Sequence, residues 1–282
     1  MAPSRQRVAA LVTVLCVGAL AACGGASETP GASDAGAPDV GYGRLSPDAG
    51  VASDASHAWE RMHPHAGRVM ANMAVGAVYI GESDGADSFD PLMQWLVGSD
   101  YWGTMRQYSV EYGSWVGSAR VPTSAVFPAG SVQGGLIDAG TLGTIVQTLL
   151  HGSGSPLKGR LGSAQAYVVF LPNGVDAIVG TRGGVIYQTC IGVGAYHSDD
   201  GVEPYAIIGS CALGRSDTTV SHELAELATD PFGGAGWFSD QDLDHGGEIA
   251  DLCDLAVPGG IDGWALAQLW SNADGECVPR GQ

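Results

Sequence analysis

Four side chains in the run Ser221-His222-Glu223-Leu224-Ala225-Glu226-Leu227-Ala228-Thr229-Asp230-Pro231 carry groups that bind metals or move protons. His222 and Glu226 are four residues apart, so on a helix they stack on one face, one turn from each other. A neutral imidazole and a carboxylate are both good Zn²⁺ ligands. Glu223, beside them, is placed to take a proton from a metal-bound water as general base. The run differs from the usual H-E-x-x-H pattern in that a Glu stands where the second His would be. The added negative charge leaves a bound Zn²⁺ a weaker Lewis acid than a second imidazole would.

Two protein ligands do not complete a catalytic site, which normally has three plus water. Downstream lies Gly247-Glu248-Ile249-Ala250-Asp251-Leu252-Cys253, with Glu248 placed 22 residues after Glu226. That spacing resembles gluzincins, where a later helix supplies a glutamate ligand and a nearby acid orients the first histidine. The resemblance implies His222, Glu226 and Glu248 as ligands, Glu223 as base, and Asp251 as the carboxylate that fixes the imidazole. Asp230 and His245 are rival third ligands. A Ca²⁺ site is the other reading nearby: Asp240, Asp242 and Asp244 alternate, and Asp251 falls at the twelfth position of an EF-hand-like loop. The sixth position is His245 rather than Gly, and the last ligand is Asp rather than Glu.

These residues need a scaffold. The helix of His222 is expected to begin near Thr218 or Thr219 and to end around Thr229, because Pro231 cannot continue it. Met73 to Gly81 and Gln165 to Leu171 are continuous apolar runs that predict buried strands. Val175 to Val179, Val185 to Tyr187 and Tyr205 to Cys211 are shorter strand candidates, and Tyr108 to Val116 is rich in β-formers. Asp90 to Leu96 and Leu136 to Leu150 have helical spacing, and Trp264 to Trp270 reads as a last strand or helix. The fold expected is α+β and zincin-like, a mixed sheet packed by helices with the metal-binding helix central. Gly152-Ser153-Gly154 with Lys158 is not a P-loop, since the spacing is wrong.

The chain has 282 residues and a formal charge of −18, from 30 acids against 12 bases. Such a surface repels phosphate backbones, which argues against a nucleic-acid partner and suits cations. Residues 1–22 read as a targeting segment, with Arg5 and Arg7 before an apolar stretch too short for an ordinary membrane span. Leu20-Ala21-Ala22-Cys23 looks like a bacterial lipobox, which implies cleavage before Cys23 and its lipidation. Gly24 follows rather than Asp, which resembles an outer-membrane sorting signal in a two-membrane bacterium. Residues 23–66 are rich in Ala, Gly, Ser, Asp and Pro and read as a flexible acidic tether. His57, His63 and His65 at its end are read as solvated, with a second metal site as the alternative. The domain proper is assigned to 67–282, facing periplasm or exterior, with the lipid as its contact to the membrane.

Cys190, Cys211, Cys253 and Cys277 remain, an even number that predicts two disulfides in an exported domain. Three pairings are possible. Cys190–Cys211 and Cys253–Cys277 close the shortest loops without crossing, and a Cys-rich zinc site lacks C-x-x-C spacing.

Taken together, His222-Glu223-Leu224-Ala225-Glu226, Asp230-Pro231, Gly236-Trp237 and Glu248-Ile249-Ala250-Asp251-Leu252-Cys253 resemble the C-terminal signature of the Exordium, or phosphate-induced, proteins and their bacterial relatives. Val78-Tyr79-Ile80-Gly81, Ser99-Asp100-Tyr101-Trp102, Tyr167-Val168-Val169-Phe170-Leu171, Tyr196-His197 and Pro204-Tyr205-Ala206 extend the resemblance over roughly residues 73 to 278. It implies an extracellular protein with no firmly established reaction. The lipobox, the acidic tether and a shorter acidic loop before Glu248 depart from the plant form. His197 matches a family position, where it would polarise a substrate carbonyl or stabilise an oxyanion; a core histidine is the plainer reading. Two functions follow from the residues. One is a surface-tethered zinc metallopeptidase-like hydrolase acting on a peptide or protein. The other is a non-catalytic extracellular binding module with a structural Zn²⁺ or Ca²⁺ ion.

Overall fold

The computed structural model describes residues 61–82, 89–157, 159–182, 185–199, 201–211, 214–233, 236–240, 247–253 and 260–278. The targeting segment, Cys23, most of the tether, Lys158, Asp242, Asp244 and His245 lie outside the described residues. In chain order the elements are β1 His63–Pro64, β2 Asn72–Ile80, α1 Phe89–Leu96, a 3₁₀ helix Asp100–Tyr108, β3 Tyr112–Val121, α2 Thr123–Val126, β4 Leu136–Asp138, α3 Ala139–His151 and β5 Ala166–Phe170. They continue with β6 Asp176–Arg182, β7 Val185–Thr189, β8 Gly192–Val193, β9 Ala195–Asp199, β10 Pro204–Ile208, α4 Asp217–Thr229, β11 Trp237–Phe238, β12 Leu269–Ser271 and β13 Glu276–Val278. This is a mixed α+β fold. Among the described residues no helix is long and apolar enough to cross a membrane.

The main sheet has five strands in the order β3-β2-β5-β10-β9. The first four run parallel and β9 returns antiparallel at the edge, with His197 opposite Ala206. Parallel strands covered on both faces read as unbroken apolar runs, which is why β2 and β5 are so plain in the sequence. Side chains alternate faces along each strand. On one face Val75, Ala77 and Tyr79, then Val168 and Phe170, then Ala206 and Ile208, pack under α1, the 3₁₀ helix and α4. On the other, Val78 and Ile80, Val169, Tyr205 and Ile207 pack on α3 and a smaller sheet, β4-β6-β7-β8. In β9, Ala195 belongs to the α4 side and Tyr196 to the other. The same alternation turns His197 toward α4.

Helix α4 is started by Ser216, whose side chain accepts a hydrogen bond from the Thr219 N–H at 3.1 Å, a regular N-cap. It stops at Asp230, one residue before Pro231. Val220, Leu224, Leu227 and Ala228 are fully buried, each large one stabilising by roughly 1.5–3 kcal/mol. The helix has no solvent stripe after its first turn: Ser221, Glu223, Glu226 and Thr229 are buried as well. Ser221 accepts from the Ala267 N–H at 2.9 Å, and Thr229 donates to the Ala225 carbonyl at 2.9 Å. Those two hydroxyls are satisfied locally, and the carboxylates must find partners elsewhere.

Several boundaries differ from the sequence reading. Asp100–Tyr108 winds into a 3₁₀ helix, so the strand foreseen from Tyr108 begins at Tyr112. Leu136 to Asp138 pair with β6, and the helix starts only at Ala139, because Asp138 caps it through Thr141 N–H at 3.0 Å. Trp264 to Trp270 contributes a strand only from Leu269. The tether boundary at 66 falls inside the packed body: Met62 is buried, β1 pairs with β11, and His65 stacks on Phe238 with centroids 3.5 Å apart. Cys190 is bonded to Cys211 and Cys253 to Cys277.

Candidate metal centre

Three elements meet at His197, the middle residue of β9. Helix α4 brings His222, Glu223 and Glu226, β9 brings His197, and the turns at 247–253 bring Glu248 and Asp251. Gly247 opens that segment at φ 71°, a left-handed conformation that glycine adopts at no steric cost. The Leu252 N–H donates to the Glu248 carbonyl at 3.1 Å and the Cys253 N–H to the Ala250 carbonyl at 2.9 Å, closing two overlapping turns. The Cys253–Cys277 bond pins its far end.

The six side chains form two groups that share one carboxylate. Glu226 Oε1 lies 2.9 Å from His222 Nε2, and Asp251 Oδ1 lies 3.2 Å from the same nitrogen. The other Glu226 oxygen, Oε2, lies 3.5 Å from His197 Nδ1, and Glu223 Oε2 lies 3.6 Å from that nitrogen. The opposite nitrogen of His197, Nε2, faces Glu248 Oε1 at 3.4 Å. Each group of three could hold a metal ion: His197, Glu223 and Glu226, and His222, Glu226 and Asp251. All these side chains are closed to solvent except His222, which is 17% exposed.

Buried polar atoms are normally hydrogen-bonded. Here both nitrogens of His197, Oε2 of Glu226 and Oε2 of Glu223 make no hydrogen bond, their contacts with one another standing at 3.4–3.6 Å. A tetrahedral ion with N and O donors about 2.0–2.2 Å away holds those donors about 3.3–3.6 Å apart. The separations around His197 Nδ1 match that spacing. The His222–Glu226 pair is tighter, and an ion there would part it by about half an ångström. The donor set therefore fits a divalent cation.

Without an ion, protons must offset the charge. Burial alone would lower the pKa of His197, but Glu248, Glu223 and Glu226 override it and hold it well above the ordinary histidine value. His222 behaves alike, with burial outweighed by Glu226 and Asp251. For Glu226 burial favours the neutral acid, yet His222 and His197 prevail and hold its carboxyl down at about 2. Burial wins at Glu223, raising its pKa.

All six cluster residues were within reach of sequence reasoning, but their grouping was not. Glu248, expected beside His222, faces His197 instead, and Asp251 takes the place at His222. The physical reason is the turn: residues 248–252 form no continuous helix, so the two acids diverge toward different imidazoles. Glu223 faces His197 rather than His222. Asp230 is buried at the end of α4, where its Oδ1 accepts from the Gly236 N–H at 2.6 Å, and belongs to neither group. Asp240 is exposed and 3.6 Å from His65. A neighbour the motif did not single out is Tyr101, which donates to the Ala267 carbonyl at 3.0 Å beneath α4. Its burial, together with the Glu226 charge, raises its pKa despite the Ser221 hydroxyl. Its one sequence signal is the aromatic block Ser99-Asp100-Tyr101-Trp102. Compared with known protein families, with curated proteins and with solved structures, the chain matches none.

Proposed function

We propose that this protein is an exported, lipid-anchored envelope module built around a divalent cation, and that the ion's task is to hold the domain together. The observation that carries the reading is Glu226: a fully buried carboxylate whose two oxygens each face a different imidazole. Donors come from α4 and β9 in one group and from α4 and the 247–253 turns in the other, so an ion in either group fastens two segments distant in sequence. Imidazole nitrogens in both groups favour zinc-type ions over Ca²⁺, which prefers all-oxygen cages. The Exordium-like blocks support, in this reading, a kinship with the bacterial relatives of that family. A zincin-like ancestry accounts for the H-E-x-x-E helix.

Burial is what favours a structural ion over a hydrolytic one. A peptide must reach the metal, and the carboxylates and His197 are closed off. The general base is also displaced, since Glu223 sits 3.6 Å from His197 and belongs to that group rather than to the His222 group. One observation favours hydrolysis, the partial exposure of His222.

The test is metal content and thermal unfolding of purified protein before and after chelation. Retained zinc-type metal and a fall in Tm on stripping are expected. For free metal at 100 times its Kd, linkage gives about 2.7 kcal/mol, or roughly 5–10 °C for a domain of this size. No retained metal and no change in Tm on adding Zn²⁺ would remove the proposal. A peptide-cleavage screen with Glu223→Gln as control decides between structural and hydrolytic roles.

A further inference from the structure

We infer that the centre takes two cations at once, with Glu226 as the bridge between them. The inference rests on the metal-centre reading above and goes beyond it in nuclearity. One ion would sit among His222 Nε2, Glu226 Oε1 and Asp251 Oδ1. The second would sit among His197 Nδ1, Glu226 Oε2 and Glu223 Oε2, a position wholly enclosed by protein.

Three observations converge on this. The first is the division of Glu226: its two oxygens serve separate imidazoles, the arrangement a bridging carboxylate requires. Two-metal centres hold their ions about 3.5–4 Å apart, within the span of one carboxylate bridge. The second is spacing. The donors around His197 Nδ1 stand 3.5 and 3.6 Å from it, the separation of ligands around one tetrahedral ion, about 3.3–3.6 Å. The third is charge. Four buried carboxylates, Glu223, Glu226, Glu248 and Asp251, face two imidazoles that must be neutral to ligate. One dication cancels half of that negative charge and leaves the rest to be offset by protons held in a buried site. Two dications cancel it. Glu248 then lies against the outer nitrogen of His197, where it accepts the ring N–H and fixes the tautomer that leaves Nδ1 free for metal.

The experiment is a metal titration of the full chain after chelation, with Zn²⁺ and with Co²⁺, counting only ions retained through gel filtration. That step removes loosely held ions from the acidic surface. Two equivalents are expected for the wild type, with magnetic coupling between paired Co²⁺ ions. His197→Ala and the near-isosteric Glu223→Gln should each retain one, and the second variant keeps the test open if the first does not fold. One equivalent in the wild type, unchanged in Glu223→Gln, overturns the second position while leaving the single-ion reading intact; His197 is then a buried cationic counter-charge. Two equivalents in the wild type and in both variants put the second ion elsewhere and overturn the bridge. No retained ion overturns both readings.

Discussion

Glu226→Gln is the sharpest single perturbation of this centre, because it removes one charge from both groups while keeping the side chain's size. In the metal-free protein, His222 and His197 hold the Glu226 carboxyl at about 2, against an ordinary glutamate near 4.3. That difference of about two pKa units corresponds to roughly 3 kcal/mol of stability. The sign follows from the direction: a depressed carboxyl stabilises the fold at all pH above its unfolded value and loses that contribution as pH falls through about 2. At neutral pH the variant should lose roughly 3 kcal/mol, or on the order of 10 °C in Tm, and the loss should vanish in strong acid. Metal uptake should fall further. Structural zinc sites bind with about 10–16 kcal/mol over four ligands, so one ligand carries about 3 kcal/mol, a hundredfold or more in Kd. Circular dichroism melts of stripped and loaded protein, with calorimetric titration of metal, measure both effects. A shift under about 2 °C with unaltered metal affinity would refute the role given to Glu226.

Three other outcomes are expected. The raised pKa values of His197 and His222 mean that carboxylate–imidazolium pairing stabilises the metal-free fold fully below the unfolded histidine value and fades as pH rises through the folded ones; the Tm increase on adding Zn²⁺ should therefore grow as pH rises above the ordinary histidine value of about 6.5, and a constant increment would contradict it. Asp251→Asn should weaken the ion at His222 more than Glu248→Gln does, by about 10–100-fold if Glu248 acts only through the His197 ring, and titration of the two variants side by side checks the order. Replacing Cys253 and Cys277 by Ser together frees the end of the Glu248–Asp251 turns and opens a closed loop spanning 24 residues; about 3 kcal/mol of stability should be lost, with weaker metal retention, read by chemical denaturation and metal analysis.

The parts of the fold that were legible share a cause. β2 and β5 are buried on both faces, so their apolar runs are uninterrupted. Helix α4 was legible from its Ser/Thr start and Pro231 stop. β9 was not, since Ala-Tyr-His-Ser-Asp is a short edge strand with a polar end and offers no run to recognise. Its alternation nevertheless decides the site, because His197 faces α4 only in that register. The i, i+4 pair His222 and Glu226 could be read from helical geometry. The partition of Glu248 and Asp251 could not, because it depends on a turn shaped by Gly247 and Cys253 rather than on any period in the sequence. The tether's end was misplaced for a related reason: composition at 61–66 is tether-like, while the contacts that order it come from residues near 237 and 272.

Those contacts have a mechanical consequence. One amide, that of Asn272, accepts from the Met62 N–H at 2.9 Å and donates to the Met62 carbonyl at 2.8 Å, and the two-residue β1–β11 ladder follows directly. Tension arriving along the chain from the N-terminal side is thus met at a latch against the C-terminal region. That latch would yield before the five-stranded sheet is loaded, and the carboxylate–imidazole cluster, tied to β9 and α4, would keep its geometry while the leading segment peels away.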